Sequence, residues 1–579
     1  MSEVIEKYIE ENIFFESDNY KKVFRDAMEF LGVETEEALD SFMSPSLADF
    51  NDPHLMKDMD KAVKYLKKAI DSNNRICLFG DYDADGVTST ALFVRVLREL
   101  KHNNFFYFIP DRQKDGYGIS EENIQKVIKE ADLVITADNG IREIDSLHDL
   151  SVPVILTDHH DPFVGGEEIK KLHKNGRIIK EGEQLMAIPD VEAIINPKRI
   201  DCDYPNESLA GVGVLFKLFQ GLYKELGKPQ KDLLQFLDLV AAGTVADLVP
   251  QFDKKYQDTE VRLMTALGIQ MMNENPSVWV QNYKAINQKD TIVFADLGFS
   301  LGPNLNAPSR MGSAYPAVTF LIEDDFDLSR ELAAKLKDIN EERKKLQQRA
   351  IEQSKDSIFK TDNVVITILD EEFDSGIAGL VAGYHEGEEK RPSITFCQRV
   401  VDGEKILTGS CRSIDGVSII NALTETAKDI GQFRFGGHDQ AAGLSLEEEK
   451  IDQFKEKIDE KLSVYNIQEL SRELDFDLEL PISKIEHRIV SFIDQLYVPV
   501  TFVSKENTIY SPPMTLRNPD WARVFLEKDG VRYQAMNWKK TKELIDNYQA
   551  DTESTISVSY QLSFFRDDIS ISITEFKFD

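Results

Sequence analysis

Residues able to hold metal ions or move protons stand in four short stretches of this chain. They are Asp81, Asp83 and Asp85 in "GDYDADG", Asp138 in "TADNG", Asp158, His159 and His160 in "TDHH", and Asp247 in "GTVADLVP". In an extended loop the alternation places Asp83 and Asp85 on the same side. Taken alone, "DYDAD" also fits a solvated acidic turn closing on a helix N-cap. Asp138 and the Asp-His-His triplet, each directly after another apolar run, tip the reading toward metal. Mixed carboxylate and imidazole donors without thiolates suit Mn²⁺, with Mg²⁺ as the harder alternative, and do not suit structural zinc. Two cations roughly 3.5–4 Å apart would hold together carboxylates that otherwise repel, and would serve phosphodiester hydrolysis.

The elements that must position these residues follow from periodicity. Strand-length apolar runs occur at Arg75–Phe79, Phe105–Ile109, Asp132–Thr136, Pro153–Thr157 and Val191–Ile195, several of them separated by helical patterns such as "VTSTALFVRVLREL". Alternating strand and helix predicts an α/β, doubly wound, mainly parallel sheet. Ligands of such sheets bind beyond the carboxyl ends of the strands, which is where the acids fall. The expected division is a helical N-terminal region at 1–70, a catalytic domain at 71–325 and a long charged connector helix at 326–358. A second α/β domain at 359–466 and a small, OB-like β-barrel at 467–579 complete it.

The chain has 579 residues, 42% of them hydrophobic, and a formal net charge of −34. That length supports several domains, and that charge opposes nucleic-acid binding by the surface at large, so any contact with phosphate depends on local cations or bound metals. Cys77, Cys202, Cys397 and Cys411 form no CxxC pair, which fits a reducing compartment. The acidic N-terminus lacks an apolar signal core and no run reaches the length of a membrane span, so the expected location is the cytoplasm, without membrane contact. There is no GxxxxGK[S/T] loop for ATP-driven unwinding.

The ordered motifs "GDYDADGVTST", "GYGIS", "TADNGI", "TDHH", "NPKR", "GTVADLVP", "LGPNLNAPSRMG", "GSCRS" and "FRFGGHDQAAGL" resemble the DHH phosphoesterase superfamily. More narrowly, they resemble the bacterial RecJ exonucleases specific for single-stranded DNA, over about residues 40 to 460. The resemblance implies a catalytic DHH domain, a DHH-associated domain that holds substrate, and 5′→3′ hydrolysis of single-stranded DNA in repair and recombination. It implies two Mn²⁺ or Mg²⁺ ions on Asp83, Asp85, Asp138, His159 and Asp247, with Asp138 bridging and Asp81 as a further ligand or a support for one. Asp158 would orient the histidines, His160 would lie near the scissile phosphate, and Arg310 would contact phosphate. Arg412, Ser413, Gly437 and His438 would hold substrate, and a helicase and a single-strand-binding protein are the expected partners.

The chain departs from that pattern in three places. Phe373-Asp374-Ser375-Gly376 replaces a His-Pro-Gly-type turn, a longer segment including "KKLHKNGRIIK" separates "TDHH" from "NPKR", and the usual Gly/Asn/Pro-rich turn is absent near Val498–Ser504. Within the longer segment, Lys170, Lys171, Lys174, Arg177 and Lys180 read as a solvated loop in preference to a guide for a strand. Tyr117 fits base stacking or core packing equally. Tyr510, Tyr533, Trp538, Phe564 and Phe565 read mostly as barrel core. Two other functions stay open at this point: a DHH-type phosphodiesterase for oligonucleotides or cyclic dinucleotides, and a scaffold with a decayed site.

Overall fold

A computed structural model describes residues 2–12, 15, 17–112, 118–167, 169–373, 375–401, 404–431, 433–467, 474, 476–518, 521–538, 541–548, 555–565 and 568–578. Tyr117 and Asp374 lie outside the described residues, as do the side chains of Phe564 and Phe565. Among the described residues no helix is long and apolar enough to cross a membrane.

The lobe that bears the four acidic stretches is built on a five-stranded sheet ordered Phe105–Phe108, Ile76–Gly80, Leu133–Ala137, Val154–Thr157, Ala193–Ile195. All its pairings are parallel. The three central strands, ICLFG, LVITA and VILT, are buried along their whole length, as expected of apolar runs covered by helices on both faces. The second strand in sequence pairs on one side of the first and the third pairs on the other, so the order reverses between Ile76–Gly80 and Leu133–Ala137. That reversal opens a crevice at their carboxyl ends, and Asp81 and Asp138 are the first residues beyond those two ends.

The connector is a 29-residue helix, Phe326–Ser354, N-capped by Asp325. It leads to a six-stranded mixed sheet whose central hairpin, Ser393–Val401 with Glu404–Arg412, carries Arg412 at its end. The C-terminal strands Phe502–Thr515, Ala522–Lys528, Val531–Asn537, Asp568–Phe578 and Thr555–Phe565 pair in that order, and the last returns to the first. Pairing is antiparallel except between Val531–Asn537 and Asp568–Phe578. This is a closed five-stranded barrel of the OB kind. Strand Ala522–Lys528 alternates buried Ala522, Val524 and Leu526 with partly exposed Arg523, Phe525 and Glu527, the pattern of a half-buried strand.

The helical N-terminus divides its packing. Helices Ser2–Glu11, Asp18–Leu31 and Glu36–Met43 share a core with the barrel, where Phe24 meets Phe492 at 5.3 Å. Helix Met59–Asp71 packs in the core of the five-stranded sheet instead.

One expectation needs correction. The segment after the triplet is not a loop throughout: Phe163–Gly165, Arg177–Glu181 and Gln184–Ile188 form a three-stranded antiparallel sheet that takes in Arg177 and Lys180, while Lys170 and Lys171 stand exposed on the short helix Ile169–Leu172 and Lys174 stands exposed in the turn after it. Leu185, Met186, Ala187 and Ile188 are buried there, and this apolar run outweighs the solvation of the lysines around it.

Candidate metal centre

Each acid is fixed by the backbone it grows from. Asp83 caps helix Ala84–Glu99 by accepting from the N–H groups of Asp85 and Gly86 through Oδ1, at 3.0 and 3.1 Å. Asp85, in the first turn of that helix, accepts from the N–H of Gly211 through Oδ2 at 2.6 Å and from the N–H of Val212 through Oδ1 at 2.9 Å. The starts of two helices thus meet on one carboxylate. Asp138 takes a left-handed backbone, φ 63°, as its chain leaves the strand. Its carboxylate lies against Gly211, where an added Cβ would stand 2.8 Å from Asp138 Oδ1. Asp247 ends helix Leu237–Ala246.

The triplet divides its work. Asp158 accepts from the N–H groups of Ile141, His159 and His160 at 2.9, 2.8 and 3.1 Å, and lies 2.7 Å from His160 Nδ1. It therefore fixes the loop and the ring of His160. His159 faces the acids, with Nε2 3.2 Å from Asp138 Oδ1, 3.5 Å from Asp247 Oδ2 and 3.9 Å from Asp85 Oδ2.

The electrostatics are those of a cavity short of positive charge. Burial first, and the charges of neighbouring aspartates next, push the carboxyls of Asp81, Asp138 and Asp247 well up and that of Asp85 up to about 7. Burial and the adjacent His160 drive His159 down to about 3, so it stands neutral with a lone pair to offer. Burial also works against the His160 imidazolium, but the charge and hydrogen bond of Asp158 outweigh it and raise the ring to about 9. Asp158 is itself held well below the usual carboxylate range, burial being overcome by His160.

The donor set fits divalent cations. Ligand atoms gather in three groups, Asp138–His159–His160, Asp85–His159–Asp247 and Asp81–Asp83–Asp138, the atoms within each lying within 4.8 Å of one another. Asp138 and His159 each belong to two of the groups. Asp81 Oδ1, Asp138 Oδ1 and His159 Nε2 are buried without a hydrogen-bond partner. Orphaned polar atoms of this kind are rare unless an ion or water completes them.

A second group of charges adjoins Asp81 and Asp83. Arg310 donates through Nη1 to Gly376 O across the cleft at 3.0 Å. Its guanidinium is brought down to about 9 by burial, then by Arg112, Arg412 and Arg343. Arg412 is oriented by Ser410 Oγ and by Cys411 O, the latter at 2.7 Å. Ser413 donates its hydroxyl to Val417 O at 2.8 Å, so it braces a turn and has only lone pairs left for a ligand. Gly437 sits at φ 147° with Ala441 O where a Cβ would go, and the turn it makes leaves His438 within electrostatic reach of His160 and Arg142.

Sequence reasoning missed several participants. Asn306 Oδ1 accepts from the N–H of Ala84 at 2.8 Å and ties Arg310's helix to the metal-bearing one. Asn196 Nδ2 donates to His160 O at 2.9 Å. Both stand inside quoted motifs, Asn306 one helical turn before Arg310 in "LNAPSR" and Asn196 in "NPKR", and that spacing was the available signal.

The comparisons with known proteins match this geometry. The DHH family, N-terminal domain, matches residues 75–244, and the DHHA1 domain matches 361–464. The single-stranded-DNA-specific exonuclease RecJ of Escherichia coli is 34% identical over 433 residues, covering 70% of this chain and 69% of that protein. The chain belongs to the RecJ family. The Bacillus subtilis RecJ is 35% identical over 438 residues, 74% of this chain, and the match spans about half of that longer protein, 51%. A crystal structure of exonuclease RecJ bound to manganese superposes with a TM-score of 0.58 at 27% identity, covering 74% of this chain and 99% of that one. The RecJ of Thermus thermophilus in complex with Mn²⁺ shares the fold over 96% of this chain and 77% of its own, with a TM-score of 0.71 at 23% identity. In this RecJ-family chain the catalytic sheet falls within the first matched domain, and Arg412 and His438 fall within the second.

Proposed function

We propose that the chain is a metal-dependent exonuclease that degrades single-stranded DNA in the 5′→3′ direction, as part of repair and recombination. The observation that carries this reading is the meeting of Asp81, Asp83, Asp85, Asp138, His159 and Asp247 at the switch point of the sheet, with buried atoms unpaired and the arginine group facing them. The names of the family's members supply the substrate. Those six residues would hold two Mn²⁺ or Mg²⁺ ions, and bound cations supply positive charge to water and to phosphate oxygens in phosphodiester hydrolysis. The protein's own part is placement. Asp158 holds His160 upright and protonated beside the scissile phosphate, His159 offers its lone pair, and Arg310 and Arg412 draw phosphate into the cleft with charge-assisted bonds.

The barrel gives length to the grip. Trp521 and Trp538 stand edge to face at 5.1 Å, each 40% exposed, on one rim, and Tyr510 carries Arg532 over its ring at 4.7 Å. Exposed aromatic and cationic faces of this kind accept bases without reading them. Of the barrel aromatics, Tyr533 does belong to the core side, reaching Ile485 O with its hydroxyl at 3.4 Å. The domain limits given above, a cytoplasmic location, and a helicase and single-strand-binding protein as partners belong to this reading. Strands labelled at the 5′ or the 3′ end, in single-stranded and duplex form, test it in Mn²⁺ and in chelator. Mononucleotides should leave from the 5′ end of the single strand only, and only with metal. Equal attack on duplex ends, or release from the 3′ end, contradicts it.

A further inference from the structure

A second set of cations borders the metal centre at its opposite end. The arginine group adjoins Asp81 and Asp83, whereas Lys198 acts on His159 and Asp247. Lys198 is held firmly: its backbone N–H donates to Asn196 Oδ1 at 2.8 Å, and Asn196 in turn binds the carbonyl of His160. Its ammonium lies 3.3 Å from Asp161 Oδ1. Arg142 donates through Nε to the carbonyl of the same Asp161 at 2.6 Å and lies over the ring of Phe163 at 5.4 Å, in the first strand of the small inserted sheet. Among the described residues no carboxylate pairs with Arg142. The Asp161 carboxylate, 58% exposed, thus pairs with Lys198, while Arg142 is held by the neutral carbonyl of that residue.

The facing lobe completes the arrangement. The turn after Gly437, closed by the His438 N–H to Ala441 O bond at 2.8 Å, brings His438 within electrostatic reach of Arg142, Lys198, Asp161 and His160. A guanidinium, an ammonium and an imidazole thus stand within electrostatic reach of one another, a donor-rich set suited to an anion and not to a base edge. The inserted sheet acquires a purpose: its first strand carries Phe163, which together with the carbonyl of Asp161 just before that strand holds the Arg142 guanidinium in place.

We propose that Arg142 and Lys198, with His438 opposite, bind a backbone phosphate of the substrate strand, the one neighbouring the linkage being cut and lying away from the arginine group. The proposal rests on the single-strand nuclease reading, and its test separates the two. Binding is measured by fluorescence anisotropy across a range of salt, in an Asp138→Asn background that leaves the strand intact. Partner strands are unmodified or carry one neutral methylphosphonate at successive linkages. Arg142→Gln and Lys198→Gln should each weaken binding of the unmodified strand about five- to tenfold. Each should also make the log–log salt slope shallower, the two together by about 0.7, the value per neutralised phosphate of a single strand. Arg142→Lys should restore the slope. One methylphosphonate, next to the cut linkage, should weaken the unsubstituted binding surface to the level of the variants and erase the difference between them. Unchanged affinity in both variants, or a loss that persists with the neutral linkage at every position, overturns the proposal and leaves the nuclease reading standing. A chain that binds no single strand with both cations in place overturns that reading and the proposal with it.

Discussion

Asp138 concentrates the demands of the site on one residue. It has a left-handed backbone, a buried carboxylate with an unpaired oxygen, and Gly211 pressed against it. Positive φ costs a non-glycine residue of order 1 kcal/mol or more, and such strain persists only where the surroundings enforce it. Here they do, through the Asp138 N–H to Thr157 O bond at 3.1 Å and through Gly211. In Gly211→Ala the new Cβ would lie 2.6 Å from Asp138 Cβ, closer than real contacts allow. The expected outcome is a folded protein that binds Mn²⁺ at least tenfold more weakly in calorimetric titration and loses turnover in proportion. Metal affinity equal to that of the unaltered chain would show that Asp138 is free to move.

At the scale of elements, the acids could be read from the sequence because each follows an apolar run, and a run of four or five buried residues in an α/β chain has few alternatives to a strand. The groups that steady them left no such trace. Asn306, Asn196 and Lys198 are single polar residues in loops or at helix faces; their place in "LNAPSR" and "NPKR" flags the stretch, but what each one holds shows only once the loops are folded against His160 and Ala84. The inserted sheet was hidden for another reason: its strands run only three to five residues, and lysines flank the apolar stretch that holds it together. Arg412 shows both sides. Its place in "GSCRS" marked it, but its orientation depends on the hairpin that ends there. Arg412→Ala should weaken single-strand binding by about 1–3 kcal/mol, the usual worth of hydrogen bonds to a charged group, with Mn²⁺ affinity unchanged. Loss of metal affinity instead would place Arg412 in the support of the metal centre.

Across the whole molecule, the N-terminal helices and the barrel share one core although they lie at opposite ends of the chain. Cutting off the barrel would strip the helices of that core, so its role is better tested at its surface. Replacing Trp521 and Trp538 together by Ala should cost long strands about 1–3 kcal/mol of affinity, the worth of one stacked base, and leave short oligonucleotides bound as before. Equal losses at every length would mean that the pair supports structure and not grip. The net charge of −34 makes the metals matter for stability as well as for binding. Without cations, Asp81, Asp85, Asp138 and Asp247 resist ionising together, and ligands that favour the folded state stabilise it by about 2.7 kcal/mol at a hundred times their dissociation constant. The unfolding temperature of the catalytic domain should therefore rise in Mn²⁺ or Mg²⁺ and fall back in chelator, while Asp138→Asn shows a smaller rise. An identical rise in both proteins would place the stabilising ions elsewhere.

The most direct test of the account is the rate at which Asp138→Asn degrades a 5′-labelled single strand in Mn²⁺, measured beside the unaltered chain with both shown to be folded by circular dichroism. The substitution keeps the shape of a residue shared by two ligand groups and removes its charge. The account predicts that turnover falls by orders of magnitude while the fold persists; a folded Asp138→Asn protein that digests the strand at close to the unaltered rate would contradict it.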